Sequence, residues 1–459
     1  MSYLTLKENR PLILTVIFLA FSSSVLMDAD VEQMVNNGDY WRVTRSIGLV
    51  IEGWTIPEKC ISWESFQSKK FRKPSSTMAS LILVAGLTQK LFQTDCFITN
   101  SLFWALSAIY WLGVLLILFH LTYWKRILVL IIFSVIYFIF SYYFKSYYEE
   151  ASVLALSPLM LHSYLRLQEG KYFYYLAISC LLIFSKAQMI LLAPFVIILF
   201  IFGSPAFSKL KYITVSSLVL IVAAITFSTG SKSPIPNMYN RIFNGLGWSL
   251  QHVENWPASN FNERHHYFYT NQASLQKITE EKEPISELQL LGTSFWPTGS
   301  ELMEKSTTND STLTNQNKEA LVRQLSWWLY LDMIPKNPLN FGAILASIYR
   351  LVLTSDYSMA YIRWKPHTSY STTGLEHLRY IIHRYLGAIF ILVPIAIFWK
   401  THKIKTPLVV AGFYLSVPIF VFVGDGFYEF EKHIIPYVML LGFFLLLPIL
   451  HKNTIFACK

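Results

Sequence analysis

The chain has 459 residues, 53% of them hydrophobic and only 14% charged, where a soluble domain carries roughly a quarter charged residues. Apolar runs close to the ~20 residues that cross a bilayer as a helix recur along it, which excludes a soluble globular protein. The net charge of +10 therefore reads as a topology signal and an aid to contact with anionic membrane lipid, and no glycine-rich or aromatic-basic pattern argues for nucleic acid.

In chain order, the first apolar run is PLILTVIFLAFSSSVLM, 11–27, after Lys7 and Arg10. No small-residue cleavage site stands out and many spans follow, so it is expected to be a retained anchor rather than a signal peptide. A polar outer loop is expected over 28–98. Within it, 78–92 is read as a helix lying in the outer interface. A crossing there would invert every later loop, putting FKSYYEE inside and YWKR outside. Six further spans are expected at 99–121, 127–144, 151–166, 172–185, 188–203 and 212–228. A second polar region, 229–383, is too long for a simple connection and is rich in Trp, Asn, Thr and His. Inside it, 341–353 reads as another interfacial helix. The stretch EKSTTNDSTLTNQNKE reads as a surface loop, with an incidental sequon at Asn309. Spans at 384–399, 406–423 and 433–450 close the chain.

With the N-terminus inside, the short inner loops become TYWKR, RLQEGK, FSKLK and KTHKIK, and the tail is HKNTIFACK. All are basic, as cytoplasmic loops should be. The expected fold class is thus an all-α polytopic membrane protein of about ten spans, with a large α-rich outer loop domain. It divides into an N-terminal membrane module (1–228), the outer loop domain (229–383), and a C-terminal membrane module with a cytoplasmic tail (384–459). No internal repeat or low-complexity segment is visible. Four cysteines, Cys60, Cys96, Cys180 and Cys458, show no CxxC spacing, so no cysteine metal site is expected. Cys60 and Cys96 share the first outer loop and either pair or remain two thiols.

This topology puts three acidic clusters on the outer side, each at a span end. One is DADVEQMVNNGDYWRVTR, with Asp28, Asp30, Glu32 and Asp39; another is FKSYYEEASVL, with Glu149 and Glu150; the last is GDGFYEFEKH, with Asp425, Glu429 and Glu431. A carboxylate near a bilayer is costly unless it is solvated, paired or used. Any single one is simply explained by solvation; three clusters on one side are less so. The span after Glu150 is short and carries Ser157, Pro158 and His162, which suits a helix lining a cavity. Lys186 in FSKAQM adds a cation at the same level, with a snorkelling lysine as the plainer alternative.

These motifs resemble the GT-C superfamily of membrane glycosyltransferases. NNGDYWRV resembles the acidic motif of the first outer loop, SYYEEA that of the next, SKAQ a short motif after the following inner turn, and GDGFYEFEKH a turn that opens the last helix in bacterial surface-glycan members. The size, the late outer loop and the basic tail are similar to serotype-converting O-antigen glucosyltransferases of bacteria and their phages. The resemblance implies an enzyme of the bacterial inner membrane, working on its periplasmic face. It would move a hexose from a polyprenyl-phosphate donor to a lipid-linked or lipopolysaccharide glycan, with inversion. One departure concerns the first motif: Asp28 and Asp30 follow the first span closely, whereas Asp39 sits further on.

For that reaction a carboxylate must accept the proton of a sugar hydroxyl as the new bond forms. Asp39 is the expected base, with Asp28 and Asp30 as alternatives. On a helix Arg42 would share its face and Arg45 would follow. The leaving lipid phosphate needs cations; Arg42, Lys186, Arg363, Lys365, Lys432 and His433 are candidates. Asp425, between two glycines, offers a tight turn whose backbone N–H groups can approach an anion. Glu149 and Glu150 are expected to hold acceptor hydroxyls or orient a cation. Trp256 and Trp296, beside Trp248, Trp327 and Trp328, offer stacking faces for sugar rings, or form a small core of their own. No cofactor is certain and no metal ligand is assigned, although some relatives use a divalent metal. Two other classes compete. A glycan polymerase would favour arginine-rich outer loops; a flippase or transporter for lipid-linked sugar would show repeats and broken mid-membrane helices.

Overall fold

The computed structural model describes residues 15–17, 43–49 except 45, 60–63, 74–203 except 146, 209–230, 338–354, 378, 381–383, 385–401, 405–425, 430–440, 442 and 445–447. A strand β1 (Cys60–Ser62) is followed by α1 (Thr77–Leu91), β2 (Cys96–Ile98), α2 (Thr99–Leu118) and α3 (Tyr123–Phe140). A 3-10 turn (Ser141–Lys145) leads into α4 (Glu149–Gln168) and α5 (Tyr172–Ile183). A second 3-10 turn (Ala187–Leu191) leads into α6 (Leu192–Gly203) and α7 (Lys209–Gly230). Later come α8 (Pro338–Thr354), α9 (Leu386–Thr401), α10 (Lys405–Asp425) and α11 (Phe430–Met439). The chain forms two compact units. One comprises Met1–Gly230, Asp356–Leu415 and Ile435–Lys459; the other comprises Ser231–Ser355 and Ser416–Ile434.

The chain is mostly helical, as expected, with two corrections. It is not all-α: β1 pairs antiparallel with β2, Cys60 opposite Ile98 and Ser62 opposite Cys96. Cys96 is disulfide-bonded and Cys180 is a free thiol. The expected inner loop TYWKR is the start of a helix. Thr122 occupies the N-cap of α3, and Arg126 reaches back so that its Nε donates to the Leu121 carbonyl at 2.8 Å. Charge excluded these residues from an apolar run, yet nothing in them breaks a helix.

Three stretches of described helix have the length and apolarity to cross a membrane: Ser101–Leu118, Tyr123–Phe144 and Lys209–Thr226. Shorter apolar helices include Tyr172–Ile183, Gln188–Gly203, Leu386–Ala396 and Val410–Phe422. The first expected span is described only at 15–17.

Helix α4 is the least apolar of the expected spans in the first unit and the most enclosed. Of its 20 residues, 17 are buried, including Glu149, Glu150, Ser152, Ser157, His162 and Ser163. Lipid cannot satisfy such groups, so a helix carrying them is stable only with protein on every side. Its serines are satisfied within the helix: Ser152, Ser157 and Ser163 donate to the carbonyls of Glu149, Leu154 and Met160 at 2.7, 2.9 and 2.7 Å. The Ser157 bond has a local cause. Pro158 lacks the N–H that would reach the Leu154 carbonyl four residues back, and the Ser157 hydroxyl supplies a donor instead. Gly113 of α2 lets that helix approach closely there. A Cβ on Gly113 would stand 2.9 Å from both the Leu159 nitrogen and Pro158 Cβ.

Helix α4 ends on Gly170, whose φ of +83° is left-handed and suits glycine. Gly170 N donates to the Leu167 carbonyl at 2.8 Å and Lys171 N to that of Arg166 at 2.9 Å, a Schellman closure that reverses the chain into α5. At this turn His120, just past α2, lies 3.4 Å from Glu169, and its ring is 5.3 Å from that of His162. Lys211, at the start of α7, sits over the Tyr172 ring. Lys125, Arg126, Arg166, Lys171, Lys209 and Lys211 thus gather at one end of the bundle.

The opposite end collects the start of α2, the end of α3, the start of α4 and the end of α5. Phe103 of α2 meets Phe144 of the first 3-10 turn at 6.4 Å. Both termini of α1 attach at this end. Thr77 N donates to the Phe184 carbonyl at 3.1 Å and Thr77 Oγ1 to that of Leu181 at 2.6 Å, both at the end of α5. At the other terminus Gln89 accepts from Ile98 N at 2.7 Å and bonds Ser101 of α2. Helix α1 therefore lies across this end of the bundle instead of running its length. Its outward side carries Val84, Leu87, Leu91 and Phe92, all more than half exposed. In the second unit, α8 buries Ile344, Ile348 and Val352, a stripe at a spacing of four.

Candidate functional site

Glu149 and Glu150 occupy the first turn of α4, where the positive end of the helix dipole favours a carboxylate by about 0.3–1 kcal/mol at exposed sites. Both are buried, at 5% and 1% exposure. The break in helix after α5 brings Glu150 a cation. Lys186 adopts extended backbone, φ −154° and ψ 148°, between α5 and the second 3-10 turn. Its Nζ forms an ion pair with Glu150 Oε1, both side chains being 2% exposed. Two charges withdrawn from water at considerable cost are held there by each other, and removing either would strand its partner.

Buried tyrosines precede the acidic turn in the chain. Tyr143, Tyr147 and Tyr148 are all at most 2% exposed. The Tyr142 and Tyr143 rings lie 4.5 Å apart. Tyr142 OH is 3.3 Å from His383 Nε2. On the other side, Tyr437 of α11 donates to the carbonyl of Gln188, two residues beyond Lys186. The segment 43–49 also reaches this end: Ser75 N, next to the α1 cap, donates to Ser46 Oγ at 3.2 Å.

Of the residues picked out in the sequence, the structure brings Glu149, Glu150 and Lys186 together. Lys186 is engaged with Glu150 rather than open to solvent. His433 is half-buried on α11. The backbones of Asp425 and Lys432 end α10 and begin α11, with side chains outside the described residues. Asp39, Arg42, Trp256, Trp296, Arg363 and Lys365 also lie outside them. His162 is not at this site. It sits at the basic end, where its Nδ1 is 3.1 Å from Tyr174 OH. Sequence reasoning missed Tyr142, Tyr143 and His383. The run SYYFKSYYEE signals the tyrosines, but nothing local marks His383, 241 residues from its partner. Among the described residues, no group of three or more His, Cys, Asp or Glu side chains is arranged to hold a metal ion.

These features define a polytopic helical membrane protein with a buried acid–lysine pair at one end of its bundle and basic turns at the other. Residues 2–249, more than half of the chain, match the family model described as the YfdI N-terminal transmembrane domain, and the chain belongs to that family. The family is one of phage-type serotype-converting glucosyltransferases, which suggests a membrane glycosyltransferase-type function. The match takes in Asp39, Glu149, Glu150 and Lys186 and ends within the region 229–383. No curated protein and no solved structure matches the chain significantly.

Proposed function

We propose that the chain is an inverting, GT-C-type hexosyltransferase of the bacterial inner membrane. It moves a hexose, glucose foremost, from undecaprenyl phosphate to a surface glycan such as O-antigen on the periplasmic face. The observation that carries this reading is the buried Glu150–Lys186 pair beside Glu149, at the bundle end opposite the basic turns, in a chain of this family. Basic turns favour the cytoplasm, which supports an outer position for the acids. The disulfide at Cys96 lies at the acidic end and fits an oxidising compartment.

In this reading Asp39 takes the proton of the acceptor hydroxyl as the glycosidic bond forms and the bond from the sugar to the lipid phosphate breaks. The phosphate leaves as an anion and needs cations, not a protonating acid. Arg42, Arg363, Lys365, Lys432 and His433 are its proposed partners, with the Asp425 turn beside them. Glu149 and Glu150 hold acceptor hydroxyls, Lys186 holds Glu150 in place, and Trp256 and Trp296 stack on the acceptor sugar. The late outer region, 229–383, supplies the acceptor side.

The test is glycan mass in a bacterium with a defined lipopolysaccharide and a supply of undecaprenyl-phosphate glucose. Wild type is expected to add one hexose per repeat, and normally inserted Asp39→Asn and Glu150→Gln to add none. A gain that survives Asp39→Asn moves the base to Asp28, Asp30 or the glutamates. No gain from wild type counts against the transferase.

A further inference from the structure

We propose that Thr77 and Tyr437 are positioning residues for Lys186, a clamp on its backbone that sets where its ammonium meets Glu150; the proposal rests on the transferase reading above. Lys186 sits in the break between α5 and the second 3-10 turn, in extended backbone. Each side of that break is held by a hydroxyl from elsewhere in the chain. On the near side, Thr77 at the start of α1 donates from its backbone N to the Phe184 carbonyl at 3.1 Å and from Oγ1 to the Leu181 carbonyl at 2.6 Å. On the far side, the Tyr437 hydroxyl of α11 donates to the Gln188 carbonyl. Thr77 is 3% exposed and Tyr437 0%. Phe184 and Gln188 flank Lys186 symmetrically, so the anchors fall just before and just after the cation.

The way α5 ends explains the near anchor. Ser185 N turns to the Leu182 carbonyl at 3.1 Å instead of continuing the α-helical pattern to that of Leu181. The helix stops, and its last carbonyls need other donors. The Leu181 carbonyl takes the hydroxyls of Ser185 and Thr77, at 2.9 and 2.6 Å. Beyond Lys186 the 3-10 turn begins at once, with Met189 N donating to the Lys186 carbonyl at 2.9 Å. A buried hydroxyl on a stray carbonyl is usually only structural. These two are set apart by what they bracket, a short segment whose backbone aims a buried cation. They also come from distant parts of the chain, Thr77 being 104 residues from Leu181 and Tyr437 249 from Gln188. A lysine ammonium is a point charge on a flexible stem, without the planar fork that orients arginine. Its place against Glu150 therefore depends on where the backbone is held. In the transferase reading Glu150 holds an acceptor hydroxyl, and a misplacement of about 1 Å costs about a hundredfold in rate where chemistry depends on alignment.

The experiment uses the full chain in lipid nanodiscs and two readouts, on Thr77→Val and Tyr437→Phe, which remove one hydroxyl each. The first readout needs no transfer. It is acetylation of lysines by sulfo-N-hydroxysuccinimide acetate, followed by peptide mass spectrometry, with the exposed Lys90 and Lys171 as internal references. Lys186 is expected to resist the reagent in wild type. Its labelling is expected to rise at least about threefold in either variant through local opening of the clamped segment, with the references level. The second readout is hexose transfer from undecaprenyl-phosphate glucose to purified lipopolysaccharide. Each variant is expected to lower kcat roughly tenfold while acceptor KM moves less than about twofold. Thr77→Ser, which keeps the hydroxyl, is expected to stay near wild type in both readouts. Unchanged labelling of Lys186 in normally inserted chains of both variants would overturn the proposal, as would wild-type kcat in both. Where one variant fails to insert, the other is read alone. Absence of transfer by wild type sinks the transferase reading instead, and the labelling of Lys186 then decides the clamp by itself.

Discussion

Lys186 and Glu150 stand 36 residues apart in the chain yet form an ion pair with both side chains 2% exposed. The pair joins the end of α5 to the start of α4 at the acidic end of the bundle, so it is at once a structural tie and the centre of the candidate site.

The two roles separate by mutation. Lys186→Met leaves a buried, unpaired carboxylate and is expected to cost about 3 kcal/mol, read as a lower Tm in detergent. The double change Lys186→Met with Glu150→Leu removes both charges and is expected to recover more than half of that loss, while hexose transfer stays absent. A double variant as unstable as the summed singles would show that the two groups are not coupled.

Glycines at two positions predict opposite signs. Alanine at Gly113 drives a Cβ to 2.9 Å from the Leu159 backbone nitrogen, an atom that cannot swing aside, so Gly113→Ala is expected to destabilise by about 1–3 kcal/mol. Gly412, inside α10, has nothing within 4 Å of its Cβ position. Gly412→Ala is expected to stabilise by about 0.5–1 kcal/mol through reduced unfolded-state freedom. Thermal unfolding of the two variants side by side checks both; a loss at Gly412 would mean that helix–helix or lipid contact is tighter there than the described atoms indicate.

Orientation is open to chemical labelling. Lys90, at the end of α1, and Lys171, in the turn after α4, are both exposed and lie at opposite ends of the bundle. In intact cells a membrane-impermeant maleimide is expected to label Lys90→Cys and to spare Lys171→Cys until the membrane is opened. The reverse pattern would place the acidic end in the cytoplasm and remove the periplasmic reading.

Much of this architecture is legible in the residues alone. Apolar length marks the spans because a bilayer accepts only hydrogen-bonded helix of the right reach. Lysines and arginines in TYWKR, RLQEGK and FSKLK predict one shared end, and the described members of that set do gather there. The same charge logic reads 78–92 as a helix lying in the outer interface; α1 has both termini fastened to one end of the bundle, and which side of the membrane that end faces is what the labelling decides. The acids Glu149 and Glu150 stand out as soon as the span after them is recognised as too polar for lipid. Local reasoning stopped where partners are distant. That α4 is the enclosed helix, that Lys186 turns inward to Glu150, and that His383 reaches Tyr142 across 241 residues depend on the order in which helices pack. Periodicity and charge report one helix and the medium around it; an ion pair or a hydrogen bond between helices exists only once their relative places and faces are set, and that was decided by the tertiary structure.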